Sequence, residues 1–218
     1  EITNLPYLRH IGSLSKKVVL STGMSNLKEV GDALSILINA GTLKDNITVL
    51  HANTMYPTPM EDVNLNAMLT IQRKFGVDVG YSDHTLGLEV DIAAVAIGAS
   101  VIEKHFTIEK RMEGPDQSTP ASLGEFARLV TAICNAESVL GSPLKQPCAI
   151  AKENMAGIQR SIVAKNDIEK GELLSEYSIT FKRPSTGLKP MYFSDLIGKM
   201  VPGNVAIDEF IQGEDICH

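Results

Sequence analysis

Four short apolar runs, each followed by a longer stretch with helical spacing, set the narrowest limits on how this 218-residue chain folds. The runs are Val18-Val19-Leu20, Ile47-Thr48-Val49-Leu50, Val77-Asp78-Val79-Gly80 and Val101-Ile102-Glu103. Each begins roughly 20 to 30 residues after the one before, the pitch of a strand–helix unit. Strands joined through helices lie parallel, so the rhythm predicts a parallel sheet clothed by helices.

The intervening segments carry the helical period. Leu27, Val30, Leu34, Leu37 and Ile38 recur at i+3 and i+4, with Ser25 or Asn26 as the N-cap and Gly41 as the stop. Leu65, Met68, Leu69 and Gln72 share one face of the next helix, and Ile92, Val95, Ala96 and Ala99 one face of the third. Ser122 caps the last, whose stripe is Phe126, Leu129, Val130, Ile133 and Ala136. A short helix around Leu5 to Leu14 leads. This first domain spans 1–141. Residues 142–157, with Pro143 and Pro147, read as a linker. Beyond it, over 158–218, the helical rhythm gives way to the strand candidates Ser161 to Ala164, Leu173-Leu174 and Ile179 to Phe181, a small and mostly β domain.

Composition narrows the partners. Apolar residues make up 44 % and charged residues 21 %, which is globular material and not a disordered tail or coiled coil. A net charge of −6 with no basic run speaks against nucleic acid. No apolar stretch is long enough to span a bilayer, so no membrane partner is expected. Cys134, Cys148 and Cys217 form no C-x-x-C pair and suit a reducing, cytoplasmic setting, with Cys134 expected as a buried small hydrophobe.

Each strand ends in polar residues: Ser21-Thr22-Gly23, His51-Ala52-Asn53-Thr54, Tyr81-Ser82-Asp83-His84 and Lys104-His105-Phe106. A (β/α)8 barrel gathers its chemistry at such strand ends. An open doubly wound sheet also uses them, but commonly with a Gly-rich first turn, and no G-x-G-x-x-G or Walker loop is present. The barrel reading is preferred. Four parallel strands cannot close a barrel, so it places further strands before residue 1. His84 and His105 end consecutive strands and would stand side by side. Either alone is explained by packing or hydrogen bonding, whereas a neutral imidazole pair also suits a divalent metal. His51 is expected in strand packing. Asp116, in Glu113-Gly114-Pro115-Asp116, is explained by a turn.

Taken in order, Ser21-Thr22-Gly23-Met24, Tyr56-Pro57-Thr58-Pro59, Gly80-Tyr81-Ser82-Asp83-His84-Thr85, Ile102-Glu103-Lys104-His105-Phe106 and Glu113-Gly114-Pro115-Asp116 resemble the N-acetylneuraminate (sialic acid) synthase family, which includes the legionaminic and pseudaminic acid synthases. Lys182-Arg183-Pro184 and Gly187-Leu188-Lys189-Pro190-Met191 resemble its antifreeze-like (SAF) domain. The resemblance implies an α/β fold: the C-terminal half of a TIM (β/α)8 barrel, four βα units, followed by a small mostly-β antifreeze-like domain of β-clip type. It implies a transferase that condenses phosphoenolpyruvate with an N-acylated amino-hexose such as N-acetylmannosamine, giving a nine-carbon 2-keto sugar acid and phosphate. By the same resemblance His84 and His105 hold a divalent metal, Mn2+ or Mg2+. Ser82 and Thr54 hold phosphoenolpyruvate, and Tyr56 and Asp116 meet the sugar. Arg183 reaches the N-acyl group across a domain-swapped homodimer. Glu1 matches the acidic residue of the family's fourth-strand motif, so the chain is expected to be N-terminally truncated and inactive alone. Ser185 stands where the family has a glycine, and Gln117 where it commonly has histidine. Alternatives are another metal-dependent keto-acid aldolase or a non-catalytic carbohydrate-binding module.

Overall fold

The computed structural model describes residues 1–111 and 120–213. The chain falls into two compact units, Glu1–Ser142 and Pro143–His218. The first contains strands β1 (Val18–Ser21), β2 (Ile47–Ala52), β3 (Asp78–Asp83) and β4 (Val101–Lys104), parallel and adjacent in chain order. Its helices are α1 (Leu5–Ser13), α2 (Leu27–Asn39), α3 (Asn66–Phe75), α4 (Glu89–Ala96) and α5 (Leu123–Leu140).

Alternation along the strands sorts the sheet into two faces. Leu20, Val49 and Val79 join Val30, Ala33, Leu34 and Leu37 of α2 and Met68 and Ile71 of α3 in one buried cluster. Tyr81 joins Val63 and the α4 residues Val90 and Ala94 in another. Helices α2, α3 and α4 therefore cover the same face, while Val19, pointing the other way, is 55 % exposed. Sequential parallel strands with helices on one side are the wall of a barrel, here a half-barrel sheet, and not a sheet wound on both faces. Gly80 keeps β3 close to its neighbours: a Cβ there would collide with the Val101 carbonyl and Leu50 Cδ2.

The α2 signals act as read. Asn26 accepts from the Lys28 and Glu29 amides in a capping box, and Gly41 takes φ 126° just past the end. Other helical faces differ. In α3 Gln72 is exposed and Ile71 is buried, so the stripe follows Met68 and Ile71. In α4 the buried side is Val90, Asp91, Ala94 and Val95, because Asp91 turns inward to meet Lys104. Cys134, expected to be buried, is exposed: α5 buries Leu129 and Ala136, and Cys134 falls off that stripe.

In the second unit, β5 (Ser161–Ala164) and β6 (Ile179–Lys182) pair antiparallel. Ile162, Ala164, Ile168, Leu174, Ile179, Leu196, Val201, Val205 and Ile211 form its core. Leu173 makes a single bridge to Met200 and does not extend into a strand. A helix, α6 (Ala149–Ile158), stands within the stretch read as a linker, beginning directly after Pro147 and Cys148. Ser185 does not take positive φ and donates its amide to the Ala156 carbonyl at 2.7 Å, so the turn here does not need the family's glycine. Among the described residues no helix is long and apolar enough to cross a membrane.

Candidate functional site

Beyond the carboxyl ends of β3 and β4, three rings meet edge to face. The His84 and His105 centroids lie 5.1 Å apart, and Tyr56 stands 5.2 Å from His84 and 4.7 Å from His105. Tyr56 arrives on the loop after β2. His84 is fixed from two sides: its Nδ1 meets the Asn53 carbonyl, and its own carbonyl accepts the Thr58 amide at 2.9 Å. A carbonyl only accepts, so Nδ1 carries the hydrogen and the neutral ring keeps its Nε2 lone pair. That is the arrangement that readies an imidazole for a metal. The His105 carbonyl accepts the Ala121 amide at 2.9 Å, and the residue is exposed. Among the described residues no set of three His, Cys, Asp or Glu side chains is gathered around a common point. A metal held here would draw its remaining ligands from substrate oxygens and water, as a catalytic metal requires. The pair fits that role.

Below the rings, Ser82 of β3 lies opposite Glu103 of β4 and donates its hydroxyl to Glu103 Oε1 at 2.7 Å. The sequence motifs assign Glu103 no role. The strand period signals it, since Glu103 and His105 share a face. Ser82 is buried, and to donate to a ligand oxygen it must exchange Glu103 for that ligand. Thr54 is exposed at the end of β2, and a Cβ on Gly23 would come within 2.9 Å of its methyl, so glycine lets the β1 and β2 ends approach.

On the opposite, helix-covered face sits a charged cluster. Lys104 Nζ contacts Asp83 Oδ2, and Asp91 Oδ2 at 3.1 Å, and donates to the Thr85 carbonyl at 3.3 Å. The side chains of Asp83 and Asp91 are fully buried and that of Lys104 nearly so. Burial, and then the neighbouring Asp83 carboxylate, push the Asp91 carboxyl up to about 7. Tyr81 Oη, Thr85 Oγ1 and Asp91 Oδ1 have no hydrogen-bond partner among the described residues.

The other predicted residues are more dispersed. His51 is half-buried; its Nε2 donates to the Val63 carbonyl at 2.9 Å, and desolvation lowers its basicity. It faces Tyr81 on the helix side, away from the ring cluster. Glu1 is exposed and accepts from Asn4 Nδ2 at 2.6 Å. In the second unit Arg183 is exposed and donates Nε to the Ile158 carbonyl at 2.7 Å. Asp116 and Gln117 lie outside the described residues.

Comparison with known proteins gives the chain a family. The sequence model of the NeuB family matches residues 1–145, and that of the SAF domain residues 159–216. The N,N'-diacetyllegionaminic acid synthase of Campylobacter jejuni is 45 % identical over 212 residues, 97 % of this chain and 64 % of the relative. That of Legionella pneumophila is 39 % identical over 218 residues, 99 % of this chain and 61 % of the relative. The crystal structure of an N-acetylneuraminic acid (sialic acid) synthetase from Leptospira borgpetersenii in complex with citrate superimposes with TM-score 0.64 at 33 % identity, over 70 % of this chain and 53 % of that one. The chain thus spans somewhat less than two thirds of the length of the curated relatives it matches.

Proposed function

The chain belongs to the NeuB family, and from that premise we propose that it carries the metal-binding half-barrel and the antifreeze-like domain of a sialic-acid-type synthase. The reaction proposed is condensation of phosphoenolpyruvate with an N-acylated amino-hexose. The methylene carbon of phosphoenolpyruvate bonds to the aldehyde carbon of the open-chain sugar, water adds at the carbon bearing the phosphate oxygen, and phosphate leaves by C–O cleavage. The observation that carries the reading is the meeting of Tyr56, His84 and His105 at adjacent strand ends.

His84 and His105 would hold Mn2+ or Mg2+, which when bound supplies Lewis acidity at the acceptor's carbonyl oxygen. Ser82 and Thr54 give hydroxyl donors to phosphoenolpyruvate, with Ser82 released by Glu103. The Tyr56 ring, packed on both histidines, offers a wall for the sugar, and Asp116 accepts from its hydroxyls. Glu1 would stand at the end of a preceding strand motif. Arg183, whose Nε is occupied by the Ile158 carbonyl, keeps its terminal nitrogens for the N-acyl oxygen of a substrate bound by a second copy in a domain-swapped homodimer. The identity to two diacetyllegionaminic acid synthases supports an acceptor with two acetamido groups over one with a single group. A cytoplasmic setting belongs to the same reading.

The test is Mn2+-dependent phosphate release from phosphoenolpyruvate and N-acylated amino-hexoses by a polypeptide of the relatives' length that carries this sequence. Turnover is expected, and His84→Ala or His105→Ala should abolish it. Inactivity with every such acceptor would sink the reading. The 218-residue chain assayed alone is expected to be inactive. Arg183→Ala should raise KM for the acceptor far more than for phosphoenolpyruvate; unaltered kinetics would favour an aldolase that works without the second unit.

A further inference from the structure

We propose that Asp83, Lys104 and Asp91 form a buried ionic clamp that positions His84 and His105, which makes all three positioning residues for the metal-binding pair. The inference rests on the reading that the two histidines hold a divalent metal.

Asp83 and Lys104 are cross-strand partners, and each immediately precedes one of the histidines. Alternation places the charged pair on the helix-covered face and the histidines on the other. Whatever fixes the first pair therefore fixes the second. Lys104 does so from several directions: it contacts Asp83 on β3 and Asp91 on α4, and donates to the carbonyl of Thr85. Asp83 Oδ1 accepts the Thr85 amide at 2.8 Å. The residues on both sides of His84 are thus tied to one ammonium, which is borne by the residue next to His105.

A buried pair of this kind adds little net stability, because desolvation offsets the attraction. With two acidic side chains on one ammonium, and Asp91 Oδ1 without a hydrogen-bond partner among the described residues, the cluster is a poor choice for stability alone. It does penalise every other arrangement. A slip or splay of β4 against β3 would leave the buried Asp83 carboxylate, and that of Asp91 where it is ionised, without their cation. The clamp thereby selects one spacing of the histidines, to within what a shared metal tolerates.

The experiment separates positioning from stability. The neutral variant Asp83→Asn/Asp91→Asn/Lys104→Met, the single Asp83→Asn and the remote core variant Leu37→Ala are titrated with Mn2+, free ion being followed by electron paramagnetic resonance. Thermal unfolding is recorded alongside. The triple variant is expected to hold or raise Tm yet bind Mn2+ about tenfold or more weakly, the scale typical of residues that orient metal ligands. Asp83→Asn should weaken binding in the same direction and serves if the triple variant does not fold. Leu37→Ala should lower Tm and leave Mn2+ affinity unchanged. Wild-type affinity in both charge variants, or a loss in Leu37→Ala that tracks its Tm, overturns the clamp. If wild type itself binds no Mn2+, the metal reading falls, and the clamp is judged on imidazole nitrogen shifts. A single Nδ1–H tautomer at His84 in wild type and a mixture in the charge variants support it, and identical spectra overturn it.

Discussion

Asp91 shows how one residue escapes a pattern that its neighbours obey. The helical period assigns α4 an apolar face and leaves acidic side chains to solvent, yet Asp91 is fully buried. Its partner, Lys104, lies on the following strand, and no local spacing links the two. The consequence is a pH dependence. Burial, together with Asp83, raises the Asp91 carboxyl from its ordinary 3.8 to about 7, with Lys104 pulling the other way and Tyr81 beside it. Between about pH 4 and 7 the folded chain then binds more protons than the unfolded chain, so this group's contribution is complete at low pH and is lost as pH rises toward 7. Asp91→Asn should flatten that part of the stability curve and add stability above pH 7, which urea unfolding at a series of pH values will read. An unchanged slope would mean that Lys104 keeps Asp91 ionised throughout. His84 and His105 were legible for the opposite reason: they end strands whose apolar runs are plain in the sequence, so their adjacency follows from topology alone. Ser82 was legible as a position but not as a bond, because its partner Glu103 is set by cross-strand register.

Elements were legible in proportion to their own signals. For α2 the sequence carries both ends, and Asn26→Ala should cost about 1 kcal/mol in urea unfolding, since two amide donors lose their acceptor. Helix α5 carries a similar box, in which Ser122 and Glu125 cap each other and Lys110 pairs with Glu125 at 2.7 Å. The Lys110 hydrogen bond and then the Ser122 amide hold the Glu125 carboxyl down at about 2. Its contribution is therefore present above the ordinary carboxylate range and lost as pH falls toward 2, opposite in sign to that of Asp91. The pair is half-exposed, so the effect is small and fades with added salt. Lys110→Met should remove the salt dependence. Helix α6 lacked such signals: two prolines and a polar run stand before it, its first turn has no side-chain cap, and none of its residues is buried. A helix without a buried stripe leaves no period to read.

At the scale of the molecule, the barrel reading was available because strand order and helix spacing are sequence properties, whereas the uncovered sheet face bearing Val19 is not. The second unit presents the sharper case. Its core is its own, and the residues that build it, Ile162, Ile168, Leu174, Val201 and Ile211 among them, are nearly all inaccessible. A unit as small as 143–218 rarely holds more than about 3–5 kcal/mol of stability. Replacing a fully buried isoleucine by alanine costs about 2–5 kcal/mol, which is comparable to the whole. Residues 143–218 produced alone should therefore unfold cooperatively, with dispersed amide resonances, and Ile162→Ala should leave them unfolded at 25 °C. In the 218-residue chain the same substitution should abolish the dispersed resonances of the second unit and spare most of the helical circular dichroism, because the helices α1 to α4 draw on separate cores. If the helical signal collapses as well, the two units fold as one, and the Arg183 experiment must be read as a change in folding before it is read as a change in substrate binding.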